Sequence, residues 1–188
     1  MNKILIITAP SGAGKSTITK RLLQQFPRIR FSISACTRAP RGQEQDGVDY
    51  YFMSVADFQH KIDNNDFVEW EMVYEGKYYG TLKTELERIW KQDELPLFDI
   101  DVKGALKVKE LYGANAVSIF IKAPSIDILR ARLESRNTDS PEAIAERVNK
   151  ASVETTFAEQ FDHIVVNDDL EEAVHKISTI VQSICSNS

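Results

Sequence analysis

The chain has 188 residues, of which 43% are hydrophobic and 27% are charged, and this composition is that of a globular protein with one sizeable core. Its formal net charge of −5 argues against broad nucleic-acid binding, which needs a basic face, so we expect no nucleic-acid partner. The apolar runs are about as long as a strand and far shorter than the roughly 18 residues of a membrane span, so we expect no membrane partner.

The first predicted element is a strand at residues 4–7, and the loop at residues 9–17 follows it almost directly. This loop reads Ala-Pro-Ser-Gly-Ala-Gly-Lys-Ser-Thr, and a helical pattern with Ile18, Leu22 and Leu23 on one face begins at its end. The loop therefore joins a buried strand to a helix N-terminus, which is a favourable place for a polyphosphate.

The residue types of this loop suit phosphate binding. Gly12 and Gly14 let the backbone curl with its N–H groups inward, and the helix that follows adds the positive end of its dipole. Lys15 can reach the β- and γ-phosphates, and the Ser16 hydroxyl can ligate Mg²⁺. The loop departs from the pattern G-x-x-x-x-G-K-[ST] at its first position, where Ala9 replaces glycine. The alternative is a glycine-rich turn that binds nothing.

A long polar loop at residues 37–50 follows a predicted short strand at 31–34. Arg38 and Arg41 lie three residues apart in this loop, and Tyr50 ends it. Such a loop can present two guanidinium groups and a phenol to one phosphate. The alternative is that the loop is simply solvated.

An inserted subdomain is predicted at residues 34–83, because this segment interrupts an otherwise alternating pattern of strands and helices. Within it, residues 67–74 and 77–81 form a predicted hairpin. Alternation at period two places Glu69 and Glu71 on one face of the first strand. Either both carboxylates face solvent, or one of them accepts hydrogen bonds from a ligand.

Alternation resumes with a predicted helix near residues 84–91 and an apolar strand at 95–101. This strand ends with two carboxylates at period two, Asp99 and Asp101. Ligands of open α/β sheets bind outside the carboxyl ends of the strands, so these acids can hold Mg²⁺ through water or orient a substrate. The alternative is that they only cap the next helix, which precedes a strand at 116–121.

Two predicted helices in the C-terminal half carry arginines. Residues 126–136 place Arg132 and Arg136 four residues apart and therefore on one helix face. The Ser-Pro pair at 140–141 has the chemistry of a helix start, and the helix that it opens carries Arg147. A flexible link between the helices makes them a hinged lid that brings arginines to phosphates. The alternative is a set of surface arginines.

The last predicted strand, residues 163–167, ends with Asn167 on the presumed ligand side, where its amide can meet a base. The apolar stripe at 170–184 predicts a C-terminal helix that serves as scaffold. Cys36 and Cys185 lack a metal-binding spacing and are expected to be free thiols, and no secretion signal is evident. We therefore expect a cytoplasmic protein, and the oligomeric state stays open.

Taken together, these residues resemble the guanylate kinase family in order and spacing over essentially the whole chain. The most specific part is the combination of Thr-Arg-Ala-Pro-Arg at 37–41 with Glu-Trp at 69–70. Further agreement lies in the loop at 9–17, in residues 34–36, 49–52, 78–81, 99–101, 132–136 and 166–169, and in Gly104. The resemblance implies an α/β fold: a three-layer P-loop NTPase core with a mainly parallel sheet, an inserted mixed α/β GMP-binding subdomain and a helical lid. The implied parts are the core at 1–33, 84–124 and 151–188, the insertion at 34–83 and the lid at 125–150.

The implied reaction transfers the γ-phosphoryl group of ATP to GMP, and to dGMP, in purine nucleotide metabolism, with Mg²⁺ as cofactor. By similarity, the residues expected at the GMP phosphate are Arg38, Arg41, Tyr50 and Tyr79. The residues expected at the guanine are Ser34, Glu69, Thr81 and Asp101. The ATP site is expected to comprise Gly12, Ala13, Gly14, Lys15, Ser16, Thr17, Arg132 and Asn167, the last near the adenine. Mg²⁺ is expected at Ser16 and at Asp99, directly or through water. The groups expected to act on the transferring phosphoryl group are Lys15, Arg41, Arg136 and Arg147.

Three other functions fit parts of the sequence. A non-catalytic binding module of the same fold needs no ATP site, yet Lys15 and Ser16 are present. A GTPase is suggested by Asp-Val-Lys-Gly at 101–104, but its Asn-Lys-x-Asp motif is lacking, and residues 149–152 are the nearest failure. A P-loop kinase for another small acceptor is the third alternative. The set Arg38, Arg41, Tyr50 and Glu69 favours GMP as the acceptor.

Overall fold

Nine strands and seven α-helices make up the described part of the computed structural model, residues 3–135 and 139–186. The strands are β1 (Ile4–Thr8), β2 (Ile29–Phe31), β3 (Ala35–Cys36), β4 (Tyr51–Phe52), β5 (Phe67–Tyr74), β6 (Lys77–Leu82), β7 (Leu95–Asp99), β8 (Ala116–Lys122) and β9 (His163–Val166). The helices are α1 (Lys15–Gln25), α2 (Val55–Asp63), α3 (Lys83–Trp90), α4 (Val102–Tyr112), α5 (Ile126–Glu134), α6 (Pro141–Thr155) and α7 (Leu170–Ser186).

The central sheet is parallel and has the strand order β2-β7-β1-β8-β9. Strand β1 lies in the middle, and its residues Ile4, Leu5, Ile6 and Ile7 are fully buried, as a strand covered by helices on both faces requires. Leu5 and Ile7 pack with α1 and α7, whereas Ile4 and Ile6 pack with α3 and α4. The predicted three-layer core with a mainly parallel sheet is therefore confirmed.

A second, mixed sheet with the order β4-β3-β6-β5 lies between β2 and α3 in the chain. Its strands β5 and β6 form the predicted antiparallel hairpin, and α2 covers it through Phe58, whose ring stacks on Phe67 with 4.3 Å between centroids. Helices α5 and α6 pack on each other around a separate apolar cluster that includes Leu129, Leu133 and Val148. The limits of the insertion and of the lid stay predictions.

Two strands end two or more residues before the position that the sequence predicts. The strand expected at 31–34 ends at Phe31, because the N–H of Ser32 makes the last bond to β7, to the carbonyl of Leu97, and the chain then crosses to the second sheet. The strand expected to reach residue 101 ends at Asp99, since Asp101 is the N-cap of α4. Ser140 and Pro141 start α6 as expected, with the Ser140 hydroxyl accepting from the N–H of Ala143.

No helix within the described residues is long and apolar enough to cross a membrane.

Glu85 on α3 ties the beginning of the insertion to the core. Its residue is 2% exposed, and its carboxylate accepts hydrogen bonds from the N–H of Ile33 (3.0 Å), the hydroxyl of Tyr51 (2.8 Å) and the guanidinium of Arg88 (2.8 Å). Burial alone raises the pKa of Glu85, but the hydrogen bonds outweigh it and the pKa lies below its ordinary value. The carboxylate is therefore ionised, and both of its oxygens accept hydrogen bonds.

We expect Glu85→Ala to lower the free energy of unfolding by about 2–4 kcal/mol, because three donors lose their shared acceptor. The matched control is Glu87→Ala on the same helix, whose carboxylate is 59% exposed and lies 3.9 Å from Lys91. Glu87→Ala is expected to change the free energy of unfolding by no more than about 0.5 kcal/mol. Urea unfolding of the two variants measures both values, and equal losses would contradict the role given to Glu85.

Candidate active site

The glycine-rich loop between β1 and α1 has the curled backbone that its sequence predicts. Gly12 and Gly14 have φ angles of +91° and +97°, in the region that favours glycine, and Gly14 is the N-cap of α1. Among the described non-glycine residues, φ is positive only at Asn65 and Asp93. Ala9 therefore has an ordinary backbone, which explains why alanine is tolerated at the first position of the loop.

Asn167 supports this loop from the end of β9. Its side-chain amide donates a 2.7 Å hydrogen bond to the carbonyl of Ala13, and the residue is 5% exposed. A Cβ atom on Gly14 would lie 2.2 Å from the same amide nitrogen, so the close approach requires glycine. The Arg132 guanidinium donates to the carbonyl of Asn167 at 3.0 Å. Both residues line a recess of about 310 Å³ that Thr17 also lines.

Lys15 and Asp99 form an ion pair at the carboxyl edge of the central sheet. The distance from Nζ to Oδ1 is 2.5 Å, and both side chains are largely buried, at 23% and 17% exposure. The ammonium group also donates to the carbonyl of Ile100 at 3.3 Å. Asp101 instead caps α4, since its Oδ1 accepts a 2.9 Å hydrogen bond from the N–H of Gly104. The alternative that these two acids only cap the helix therefore holds for Asp101 and not for Asp99.

Two clefts meet at this edge. The loop cleft, of about 350 Å³, is lined by residues 9–12 and 14–17 together with Asp101, Arg147, Lys150 and Glu154. The insertion cleft, of about 320 Å³, lies between the second sheet and the strand end at 99–101. The predicted residues that line the insertion cleft are Ser34, Arg41, Tyr50, Glu69, Tyr79, Asp99 and Asp101. The structure thus brings together residues from β6, β5 and the polar loop at 37–50.

Glu69 is the buried carboxylate of the insertion cleft. It is 5% exposed, and its Oε1 accepts a 2.7 Å hydrogen bond from the Thr81 hydroxyl, which stands behind it. The pKa of Glu69 is raised to about 7, mainly by burial; the hydrogen bond from Thr81 opposes this rise, and the nearby charge of Asp101 contributes to it. A Cβ atom on Gly104 would lie 2.9 Å from Oε2. Glycine at this position therefore leaves room for the carboxylate.

Glu71 also lines the insertion cleft. Its Oε1 accepts from Lys103 at 3.0 Å, whereas its buried Oε2 receives no hydrogen bond from an N–H or hydroxyl donor of the described residues. Burial raises its pKa, and the neighbouring Asp101 adds to the shift. The cleft therefore holds several carboxyl oxygens that can accept hydrogen bonds.

Arg38 stands behind the tyrosines rather than in the lining of the cleft. Its Nε donates to the Tyr79 hydroxyl at 3.1 Å, and its guanidinium lies 4.7 Å from the centroid of the Tyr50 ring. Glu44 accepts from Nη1 at 2.5 Å and from Nη2 at 2.8 Å, which lowers the pKa of Glu44 to about 2. Sequence analysis missed Glu44, because nothing in a polar loop indicates which of its acids folds back onto an arginine.

Of the two catalytic arginines predicted in the lid, the structure describes only one. Arg147 on α6 lines the loop cleft and pairs with Asp139 at 3.2 Å. Arg136 lies outside the described residues. Lys150, one turn after Arg147, lines both clefts, and sequence analysis considered it only as part of an incomplete GTPase motif.

Comparison with known proteins gives a consistent result. A family model described as guanylate kinase matches residues 1–184. A guanylate kinase from Porphyromonas gingivalis is 53% identical over 178 residues, covering 94% of this chain and 95% of that protein. One from Salinibacter ruber is 45% identical and covers 98% of this chain and 97% of that protein. The crystal structure of guanylate kinase from Anaplasma phagocytophilum matches with a TM-score of 0.76 and 32% identity, covering 96% of this chain and 85% of that chain.

We expect Asn167→Asp to destabilise the protein by about 1–3 kcal/mol, because a carboxylate cannot donate to the Ala13 carbonyl and the two oxygens then face each other. Asn115→Asp adds the same charge at an exposed position and serves as the control, with an expected change within about 0.5 kcal/mol. Thermal and urea unfolding compare the two. If the two variants lost the same free energy of unfolding, Asn167 would not be the support of the loop.

Proposed function

The chain belongs to the guanylate kinase family, and we propose on this premise that it transfers the γ-phosphoryl group of ATP to GMP, giving ADP and GDP. The observation that supports this reaction best is the meeting of two clefts at Asp101, one built by a phosphate-binding loop and the other containing a buried carboxylate. The loop cleft takes the ATP phosphates and the insertion cleft takes GMP. Thr17, Arg132 and Asn167 line the recess beside the loop and take the adenosine end.

Guanine selection rests on Glu69. Guanine presents the N1–H group and the exocyclic amine as adjacent donors, which one carboxylate accepts together, whereas adenine presents an acceptor at N1. Ser34, Thr81 and Asp101 complete the base site, with Thr81 acting through its bond to Glu69. A buried carboxylate left unpaired by the wrong base disfavours that base by up to ~10⁴-fold.

The GMP phosphate is held by Arg41, Tyr50 and Tyr79, which line the insertion cleft. Arg38 contributes charge from behind the tyrosines and reaches the phosphate when its fork to Glu44 opens. Guanidinium and phenol groups are suited to this task, because they donate several hydrogen bonds to one phosphate.

Mg²⁺ fits the oxygen donors where the two clefts meet, since Ser16 lines the loop cleft and Asp99 lines the insertion cleft. This ion needs only one or two protein oxygens in addition to substrate phosphates and water, and the described residues contain no larger cluster of metal-binding side chains. Ser16 and Asp99 are the residues that would hold it, and it would neutralise the charge of the ATP phosphates. Asp99 also holds Lys15 toward the cleft.

Phosphoryl transfer requires positioning and charge neutralisation rather than a protein nucleophile. Lys15, Arg41 and Arg147 supply positive charge, as does Arg136 by similarity to the family. We place this reaction in the cytoplasm, a reducing compartment that suits the free thiols Cys36 and Cys185, and we include dGMP as an acceptor. The non-catalytic alternative has no use for the intact loop cleft.

The test is ADP formation from Mg·ATP with GMP, AMP, UMP, CMP and dTMP offered separately. We expect turnover with GMP alone among these five, and loss of turnover in Lys15→Met, since no other loop side chain brings a full charge to the γ-phosphate. Thermal unfolding of the variant is the control, because it also removes the partner of Asp99. GMP binding without turnover in the unmodified protein would favour the binding module instead.

A second prediction concerns pH. Because the pKa of Glu69 is raised to about 7, this carboxyl is protonated below that pH and accepts fewer hydrogen bonds from guanine. The KM for GMP is therefore expected to rise as pH falls below 7, by up to about tenfold per pH unit, with a smaller change in kcat.

Glu69→Gln is the control for this pH profile. The GMP phosphate itself titrates near pH ~6, and that part of the profile is common to both proteins. Only the part due to Glu69 should disappear in the glutamine variant, whose KM should be high at every pH. Identical profiles for the two proteins would contradict the assignment of Glu69 to guanine.

A further inference from the structure

We propose that Lys150 is a further residue of the phosphoryl-transfer site, whose ammonium group contacts the phosphate oxygens where donor and acceptor meet. This inference rests on the proposed function. Among the residues that line the two clefts, Asp101 and Lys150 are those that line both. A group at that boundary faces the acceptor phosphate on one side and the γ-phosphate on the other.

The position of Lys150 on α6 explains how it reaches the boundary. It follows Arg147 by three residues, so the two cations share one face of the helix. The neighbouring face carries the buried residues Ile144, Val148 and Ala151, which pack in the cluster formed with α5. The helix thereby fixes which side of α6 turns toward the clefts.

The contacts of the ammonium group leave it available to a ligand. Its Nζ lies 3.7 Å from Oε1 of Glu154, longer than a hydrogen bond, and the Lys150 side chain is 62% exposed. Lys15, Asp101 and Glu154 line the loop cleft together with Lys150, so the ammonium group lies among the charged groups of that cleft. A flexible four-carbon stem lets Lys150 exchange Glu154 for a phosphate.

The charge of the loop cleft also depends on this residue. Its described lining contains the cations Lys15, Arg147 and Lys150 and the carboxylates Asp101 and Glu154. Without Lys150, the cations no longer outnumber the carboxylates, although the cleft must hold the polyanionic end of ATP. Lys150 therefore supplies the excess of positive charge.

The transfer step shows where that charge acts. A phosphate oxygen of GMP forms a bond to the γ-phosphorus, the bond from this phosphorus to the β–γ bridging oxygen breaks, and its electron pair stays on the β-phosphate of ADP. ATP⁴⁻ and GMP²⁻ thus give ADP³⁻ and GDP³⁻, and the total charge is unchanged. A cation at the boundary contacts the oxygens whose charge is redistributed, and so acts mainly on kcat.

The test compares Lys150→Gln and Lys150→Arg with Lys176→Gln. Lys176 is the matched control, because it forms a similar pair with Glu172 at 3.6 Å and is 59% exposed on α7, away from both clefts. We expect Lys150→Gln to lower kcat by about 10- to 100-fold without a change in Tm, Lys150→Arg to restore most of it, and Lys176→Gln to change neither.

A second readout is binding of a bisubstrate in which adenosine and guanosine are joined by five phosphates. Its affinity is expected to fall in Lys150→Gln by more than the affinity for ATP or GMP alone, since its phosphate chain crosses the boundary. The inference would be overturned if Lys150→Gln kept kcat within twofold of the unmodified protein and bound the bisubstrate with unchanged affinity. It would also be overturned if Lys150→Gln and Lys150→Arg lost kcat to the same extent and both had a lower Tm. If the unmodified protein neither phosphorylates GMP nor binds the bisubstrate, the proposed function fails as well.

Discussion

The parallel pairing of β1 with β7 is the constraint on which the site depends. Ile7 lies opposite Asp99 in this register, so the loop that leaves β1 and the carboxylate that ends β7 reach the same edge of the sheet. The Lys15–Asp99 ion pair follows directly from that register. The inserted sheet leaves the core after β2 and returns at α3, which brings Glu69 to this edge as well. One strand register therefore sets the spacing between the two clefts.

The same arrangement buries carboxyl groups whose burial lowers the stability of the folded protein. Burial raises the pKa of Glu69 from an ordinary value of 4.5 to about 7, a difference worth roughly 3 kcal/mol. Because the folded state holds this proton more tightly than the unfolded chain, ionisation reduces stability as pH rises through that range. Glu71 adds a buried oxygen that receives no hydrogen bond from an N–H or hydroxyl donor of the described residues. Neither group favours stability, and the proposed binding of guanine gives the buried carboxylate of Glu69 a function.

Sequence predicts the parts of this structure whose causes are local. The glycines at 12 and 14 and the Ser-Pro start of α6 each act through their own backbone, and these features appear where they are expected. Strand β5 also has the expected bounds, but its burial does not alternate, because register shifts interrupt its pairing with β6. The contacts that were not predicted depend on distant or irregular segments. The Asn167 amide meets a carbonyl 154 residues earlier, and Glu44 meets Arg38 through the fold of a loop. Lys150 carries no local signal, because its position matters only once two clefts meet beside it.

Helix α5, which belongs to the predicted lid, is connected to the loop at 9–17 through direct contacts. Arg132 holds the carbonyl of Asn167, and the amide of Asn167 holds the carbonyl of Ala13. A Cβ atom on Gly12 would lie 3.1 Å from Leu133 of α5, so this glycine allows the lid to pack on the loop. Glu69 and Glu71 lie on β5 and Asp99 ends β7, so strands position these carboxylates. The cations Arg147 and Lys150 lie on α6, which packs with α5 in a separate apolar cluster. In the proposed function, α6 therefore supplies positive charge to the phosphates, whereas the strands position Glu69 for the base and Asp99 for Lys15.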